Sequence, residues 1–541
     1  MHRPITLTPT LTFKAAFAAL AFAAAASAQA FCGFFAGKAD ASLFNEASQV
    51  ILVRDGRRTV ISMLNDFKGP LTDFALVVPV PQVLERGHVR IGDKLLFDRL
   101  DAYSSPRLAE YFDPDPCPVG RDRLAYEMRA GMMLKSEVAA PMAARSDRAK
   151  ALGVTVEASY TVGEYDIVML SAKQSQGLET WLLENGYRMP NGAAAALKPY
   201  VAQDMKFFVA KVNLKEQAAT GVQVLRPLQF AFESEKFMLP LRLGMINAAP
   251  SKAQDLIAYV LTKAGRVESA NYRTVKLPAN QNLPPAIKRD FKGFYKAMFD
   301  HHARQEDFRV VFTEYFWDMA WCDPCAANPL SAAELRQAGV FWLGDEALEI
   351  GGAGGAGSPA IAPRLPRSSG AQNALLTRLH VRYTPQTFPE DLMFVQTQDR
   401  QNWQARYVVQ NPFEGTLQQC REKAAAESCS ASCEAVYGQA QPDPNAQPGA
   451  LAVCLQSCLA SQRGAVEQAR RYYEIDLPQR RQTELQTLQR YTGWSNDDVR
   501  RYAGVALAPG AASAASSSPS AAVPWWQRLF GTEPAGNAGP R

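Results

Sequence analysis

Four cysteines near the C-terminus constrain the fold more tightly than any other feature of the chain. Cys429 and Cys433 stand at i, i+4, and so do Cys454 and Cys458, so each pair shares one face of a helix. The residue numbers of Cys429 and Cys458 have the same sum as those of Cys433 and Cys454. Two antiparallel helices stapled face to face require that relation. The midpoint falls at Asp443-Pro444, inside the turn-forming run Gln441-Pro442-Asp443-Pro444-Asn445. The spacing predicts a helical hairpin with bridges Cys429–Cys458 and Cys433–Cys454. Four thiolates around zinc would satisfy the same spacing, and the redox compartment decides between the two.

The N-terminus speaks to the compartment. Arg3 and Lys14 are basic, Ala15 to Ala26 is almost wholly Ala, Leu and Phe, and Ala28-Gln29-Ala30 is a small-x-small cleavage site. This pattern predicts a signal peptide over 1–30, cleaved near Ala30, because so short an apolar run cannot cross the ~30 Å hydrocarbon core. No later segment approaches the ~18 apolar residues of a spanning helix, so no transmembrane segment is expected in the mature chain. A periplasmic or extracellular location follows. There the hairpin cysteines are expected as disulfides, with no metal and no cofactor. The chain has 58 Lys+Arg against 53 Asp+Glu and no basic cluster, which argues against nucleic acid as a partner.

Ahead of the hairpin the pattern is mixed. Gln49–Arg54 and Thr59–Leu64, joined by Asp55-Gly56, read as a β-hairpin. Phe74–Pro81 is a further apolar strand whose prolines place its end at a sheet edge or in a crossing loop. Leu95–Phe112 has helical spacing with a break at Ser105-Pro106, and further helices are expected around Gly177–Tyr187 and over Ala286–Arg304. Strands are expected at 154–160, 165–170, 206–212, 222–232, 237–241, 256–261, 308–316, 379–383, 392–396 and 406–410. The fold class is α+β: a large mixed, strand-rich domain over 31–412, then a helical region over 413–507 with the stapled antiparallel hairpin. Gly351–Gly370 reads as a flexible loop inside the mixed domain, without the Lys-Ser/Thr that a phosphate-binding loop needs. The segment 508–541 reads as a disordered tail, Ala/Ser/Pro-rich over Ala508–Pro524 and then carrying a Trp525-Trp526-Gln527-Arg528-Leu529-Phe530 patch. Through Trp525, Trp526 and Phe530 that patch offers a weak membrane or protein contact, though self-docking is the preferred reading.

Five of the nine cysteines remain. Cys322 and Cys325 can close on each other. Cys32 pairs most simply with Cys117, since both flank the N-terminal strands, and Cys420 is then left over. Trp321-Cys322-Asp323-Pro324-Cys325 resembles the Trp-Cys-x-Pro-Cys site of thioredoxin-like proteins, in which a helix N-terminus activates the first thiol. Here Ser331-Ala332-Ala333-Glu334 is a capping box that starts the next helix only at that point, and Asp323 disfavours a thiolate. A structural bridge is preferred. The alternative is a thiol–disulfide oxidoreductase with Cys322 attacking and Cys325 resolving. Other candidates are thin. His88 and His380 stand alone, and His301-His302 reads as a solvated helix face rather than a metal site. Asp113-Pro114-Asp115-Pro116 reads as a turn.

Several segments together resemble a family of secreted bacterial proteins catalogued as domain of unknown function 2330. They are Phe31–Phe35, Ala39–Asn45, Asp73–Pro81, Asp101–Leu108, Tyr111–Cys117 and Trp321–Cys325, and the resemblance spans roughly Phe31 to Pro412. It implies a secreted bacterial protein and carries over no activity, ligand or catalytic residue. The reading that results is a non-catalytic binding or scaffold protein of the cell envelope.

Overall fold

The run Val50–Val53 is buried on both sides, and this one strand explains the layering of the molecule. Val50 and Leu52 of β2 (Phe44–Asp55) enter a core between two sheets, while Ile51 and Val53 enter a second core beneath helices. An apolar run without alternation is what a strand covered on both faces requires. Gly56 turns the chain at φ +55°, a left-handed conformation that suits glycine, and β3 (Arg58–Lys68) returns antiparallel, as the sequence predicts.

The computed structural model describes residues 34–38, 44–68, 74–118, 154–185, 187–188, 192–213, 225–247, 253–321, 323, 328–343, 373–426, 429–437 and 449–504. The expected signal peptide, the Gly351–Gly370 run and the Trp525–Phe530 patch lie outside these residues.

The larger sheet has nine strands. Its order is β15 (Arg273–Lys276), β17 (Val310–Asp318), β18 (Leu375–Tyr383), β13 (Gln254–Thr262), β2, β3, β11 (Leu228–Glu233) and β5 (Val89–Ile91), with β20 (Trp403–Gln404) added to β17. The second sheet runs β7 (Val154–Val162), β8 (Tyr165–Ala172), β10 (Lys206–Val212), β4 (Phe74–Val80), β1 (Phe34–Lys38), β9 (Tyr187–Arg188). Although β4 carries Pro79, it lies inside this sheet between β10 and β1, with that proline opposite Phe207 near the strand's end. Two small sheets complete the strands. One joins β12 (Met238–Leu239), β19 (Leu392–Gln396) and β14 (Val267–Ser269); the other joins β16 (Asn282–Leu283), β21 (Arg406–Asn411) and β6 (Arg107–Phe112).

Helices close the outer faces. α1 (Lys94–Ser104), capped by the Asp93 side chain, lays Leu96, Phe97, Leu100 and Tyr103 on the larger sheet. α2 (Ser175–Glu184) and α3 (Ala193–Ala202) cover the smaller one through Leu178, Leu182, Leu197 and Tyr200. Each such aliphatic side chain contributes roughly 1.5–3 kcal/mol when fully buried. The helix expected over 95–112 stops at Ser104. Ser105, restricted by the following proline, is extended (φ −60°, ψ 148°), and the chain continues as β6 parallel to β21.

α4 (Phe291–Gln305) and α5 (Ala332–Gln337) follow, the latter beginning with the Ser331–Glu334 capping box read from the sequence. The C-terminal part is helical: α6 (Leu417–Ala426), α7 (Cys429–Tyr437), α8 (Ala450–Arg471), α9 (Leu477–Thr492) and α10 (Asn496–Ala503). Bridges Cys429–Cys458 and Cys433–Cys454, with Cα separations of 5.8 and 5.9 Å, staple α7 to α8. The pairing expected between Cys32 and Cys117 is not the one formed. Cys117 is bridged to Cys420 across 303 residues, because α6 packs Cys420 beside it among Ala424, Ala465 and Ala469. Leu488, Tyr491 and Val499 of α9 and α10 join Phe294 and Met298 of α4 in one hydrophobic cluster. Gly493 ends α9 at φ +67°, where a Cβ would collide with the His301 ring. Among the described residues, no helix is long and apolar enough to cross a membrane.

Candidate functional site

Strand period places Arg378, His380 and Arg382 on one face of β18, while Leu379 and Val381 point into the core between the sheets. The neighbouring strand β13 sets Asp255 opposite Arg382 and Tyr259 opposite Arg378. On the other side, β17 pairs Thr313 with Leu379 and then Tyr315 with Arg378, so Glu314 is the extra residue of a β-bulge. Bulges re-aim a side chain locally, and this one leaves a carboxylate only 1% exposed among the cations of β18.

The resulting network alternates in sign. Glu314 Oε1 meets His380 Nδ1 at 2.6 Å and accepts the Tyr295 hydroxyl, while Oε2 accepts from Arg378 Nε at 2.5 Å. Arg378 Nη1 donates to Asp101 of α1 at 2.6 Å, and the Tyr259 hydroxyl reaches the same carboxylate at 3.1 Å. Arg382 grips both oxygens of Asp255, at 2.6 and 2.7 Å, and also binds Asp300 of α4. Two-pronged pairing of this kind fixes geometry as well as charge. The His380 ring stacks on Phe299 at 3.9 Å between centroids, and the Arg382 guanidinium lies over the Phe299 ring at 4.9 Å from its centroid.

Burial by itself would raise the Glu314 carboxyl, but His380 and Arg378 outweigh it and hold the group at about 2. Burial opposes the His380 cation, and Glu314 and Asp255 overcome that and raise its pKa. Asp255 is also desolvated, yet its bonds from Arg382 and the nearby His380 charge keep it low. The carboxylates are therefore ionised, and they favour the His380 cation. His380 Nε2 has no hydrogen-bond partner among the described residues; Asp255 Oδ1 stands 3.6 Å away, close enough for charge and too long for a hydrogen bond.

Above the network lies a cleft of about 690 Å³, bounded by α4, α1 and the ends of β13 and β18. Phe291, Tyr295, Phe299 and Phe308 supply aromatic wall, and Lys292 and Arg304 supply cations. Lys296 is paired with Asp300 at 2.7 Å, whereas Lys292 and Arg304 have no carboxylate partner among the described residues. Ser105, on the lining, donates to Asp101 at 2.9 Å rather than to His380. The arrangement is a set of fixed charges beneath an aromatic-walled, cation-bearing opening.

The residues singled out from the sequence lie elsewhere. Cys32, Cys322 and Cys325 are outside the described residues. Of their neighbours, Asp323 is buried and accepts from the Tyr315 hydroxyl at 3.1 Å and Gln404 at 3.3 Å. His301 and His302 do not form a solvated face. Both are partly buried, and His302 packs against Tyr491 of α9, burial lowering its pKa to about 4. Asp113 is more than a turn residue, since it receives both Nη atoms of Arg480 at 3.0 and 2.7 Å and ties α9 to the end of β6. Among the described residues no group of three or more metal-ligating side chains converges.

His380, read from the sequence as isolated, is at the centre of the network, and Glu314, Arg378, Arg382 and Asp255 went unnoticed. Two signals were present. Arg378-Leu379-His380-Val381-Arg382 puts three cations on one face of an apolar strand, and Glu314 interrupts the apolar run Val310–Phe316.

The family described as uncharacterized protein conserved in bacteria (DUF2330) matches residues 26–395, more than half of the sequence, and the chain belongs to that family. No curated protein and no solved structure matches it.

Proposed function

For this member of that bacterial family we propose a non-catalytic binding protein of the cell envelope, exported to the periplasm or beyond, which takes a ligand in the cleft over His380. The observation that carries the reading is the fixed network Asp101–Arg378–Glu314–His380–Asp255–Arg382–Asp300 under a cleft whose Lys292 and Arg304 lack carboxylate partners. Glu314 and Asp255 raise the His380 pKa and so favour its holding a proton over taking one up, and the nearby Ser105 hydroxyl is committed to Asp101. Preorganised charge of this kind suits recognition, because little ordering remains to be done on binding. Three disulfides among the described residues support an oxidising compartment, as does the basic-then-apolar N-terminus. The start of α5 only at Ala332 supports a structural role for Cys322 and Cys325.

Two measurements test this. Cell fractionation with N-terminal sequencing is expected to find the protein outside the cytoplasm and beginning at Phe31; a cytoplasmic, uncleaved product overturns the export reading. Mass spectrometry of small molecules released on denaturing the purified protein is expected to find a ligand that the Lys292→Glu, Arg304→Glu double variant no longer carries. An insulin-reduction assay guards the other side, since turnover abolished by Cys322→Ser would replace the binding reading with the oxidoreductase one.

A further inference from the structure

A second cavity, unconnected in chemistry with the charged cleft, lies between the two large sheets. Ile61 and Met63 of β3 and Phe230 and Phe232 of β11 line it from one sheet, and Val78 and Pro79 of β4 from the other. It encloses about 280 Å³. Protein interiors pack like organic crystals and do not ordinarily leave such a space empty. A cavity of roughly half that volume, lined by aliphatic and aromatic groups, stays dry and takes up benzene. Met63, Met205 and Met238 also face the cavity, and methionine side chains adapt their shape to a guest at little cost.

The mouth is polar and its charge is unbalanced. Among the described residues, two charged ones stand on the lining, Glu235 and Lys236. Glu235 is engaged by Arg57 at 2.9 Å. Lys236 Nζ donates to the neutral Gln203 side chain at 2.6 Å and has no carboxylate partner among the described residues. Behind the mouth, the buried Arg54 guanidinium holds the segment by donating to the carbonyls of Ser234 (2.9 Å) and Glu235 (3.3 Å). An apolar interior with one uncompensated cation at its opening fits an apolar molecule that carries a single anionic head.

We propose that this inter-sheet cavity binds a medium-chain aliphatic carboxylate, its chain among Ile61, Met63, Val78, Phe230 and Phe232 and its head at Lys236. The volume sets a chain on the order of ten carbons, near the lower end of ordinary ligand pockets. This site is independent of the cleft over His380, and its failure would leave that reading untouched.

Titration calorimetry of the full-length oxidised protein with octanoate, decanoate and hexadecanoate, each below its micellar concentration, tests the proposal. Decanoate is expected to bind with a negative heat-capacity change, and hexadecanoate no more tightly than decanoate. Lys236→Gln, an exposed change that leaves the core intact, is expected to weaken octanoate fivefold or more and to leave 1-octanol unaffected. Met238→Trp at the lip is expected to weaken both. If neither octanoate nor decanoate binds at millimolar concentration, or if Met238→Trp folds and binds them as the parent does, the cavity is not the site. If Lys236→Gln leaves octanoate unchanged, the assignment of the anionic head is wrong.

Discussion

Glu314 in the larger sheet and Glu484 in α9 are almost equally buried, at 1% and 2% exposure, yet their surroundings drive them in opposite directions. Glu314 has His380 and Arg378 in direct contact and is held at about 2. For Glu484, burial dominates and pushes the carboxyl up to about 7. Its nearest cation, Arg480, stands 3.5 Å away and spends both Nη atoms on Asp113. Burial alone therefore does not set the charge of a carboxylate; the number of donors left over for it does. The two regions differ in the same way as wholes. The sheet region orders itself by packing and paired charge. In the hairpin, Leu451, Val453 and Leu459 of α8 are exposed, and two disulfides take the place of a core.

The largest effect is expected at Glu314. Glu314→Ala strands His380 and Arg378 without their carboxylate, and urea unfolding should show a loss of about 3–5 kcal/mol. Replacing Glu314, His380 and Arg378 together by Leu, Phe and Met should lose less than the single change; a larger loss would mean the pairs themselves, not the stranded charge, carry the stability. Next comes the staple. Cys433→Ser with Cys454→Ser should cost about 2–4 kcal/mol. Hydrogen exchange should show faster opening of α7 and the first half of α8, with β13, β17 and β18 unchanged.

Protonation sharpens the contrast between the glutamates. The folded value of Glu314, about 2, lies below its ordinary 4.5, so its contribution is complete above 4.5 and is lost as pH falls toward 2. His380 is raised above 6.5, so its contribution is complete below 6.5 and is lost as pH rises through its folded value. Glu484 is raised from 4.5 to about 7, so the folded chain holds the extra proton and stability falls as pH rises through that interval. Glu484→Gln should flatten this part of the curve and stabilise the protein above pH 7 by on the order of 2 kcal/mol. If thermal melts from pH 5 to 8 have the same slope with and without the change, Glu484 is ionised throughout. The smallest effect is expected at the exposed Lys94–Asp98 pair of α1, where Lys94→Ala should alter the unfolding free energy measured in urea by about 0.3–0.5 kcal/mol.

Much of the local structure was legible. The β2–β3 hairpin follows from an apolar run on each side of Asp55-Gly56, and α5 starts where Ser331 and Glu334 form a capping box. Where a break in pattern was visible, its consequence was not. Ser105-Pro106 ends α1, but only the presence of β21 alongside makes Arg107–Phe112 a strand. The candidate cleft was the least legible part. Its central histidine sits 66 residues from Glu314, and the two meet because a bulge shifts one strand against the other.

The sequence by itself determined the stapled hairpin, because i, i+4 spacing and a turn between two helices are local geometry that no distant residue needs to supply. It also determined the α+β character, through periodicities readable within a few residues. The tertiary structure alone decided that Cys117 joins Cys420 across 303 residues, that Glu314 is ionised and Glu484 resists ionisation, and that a cavity remains between the sheets. Those outcomes depend on strand register and on which helix covers which face. Register and coverage are set by the sum of many long-range contacts, none of which leaves a mark in the chain near the residues it brings together.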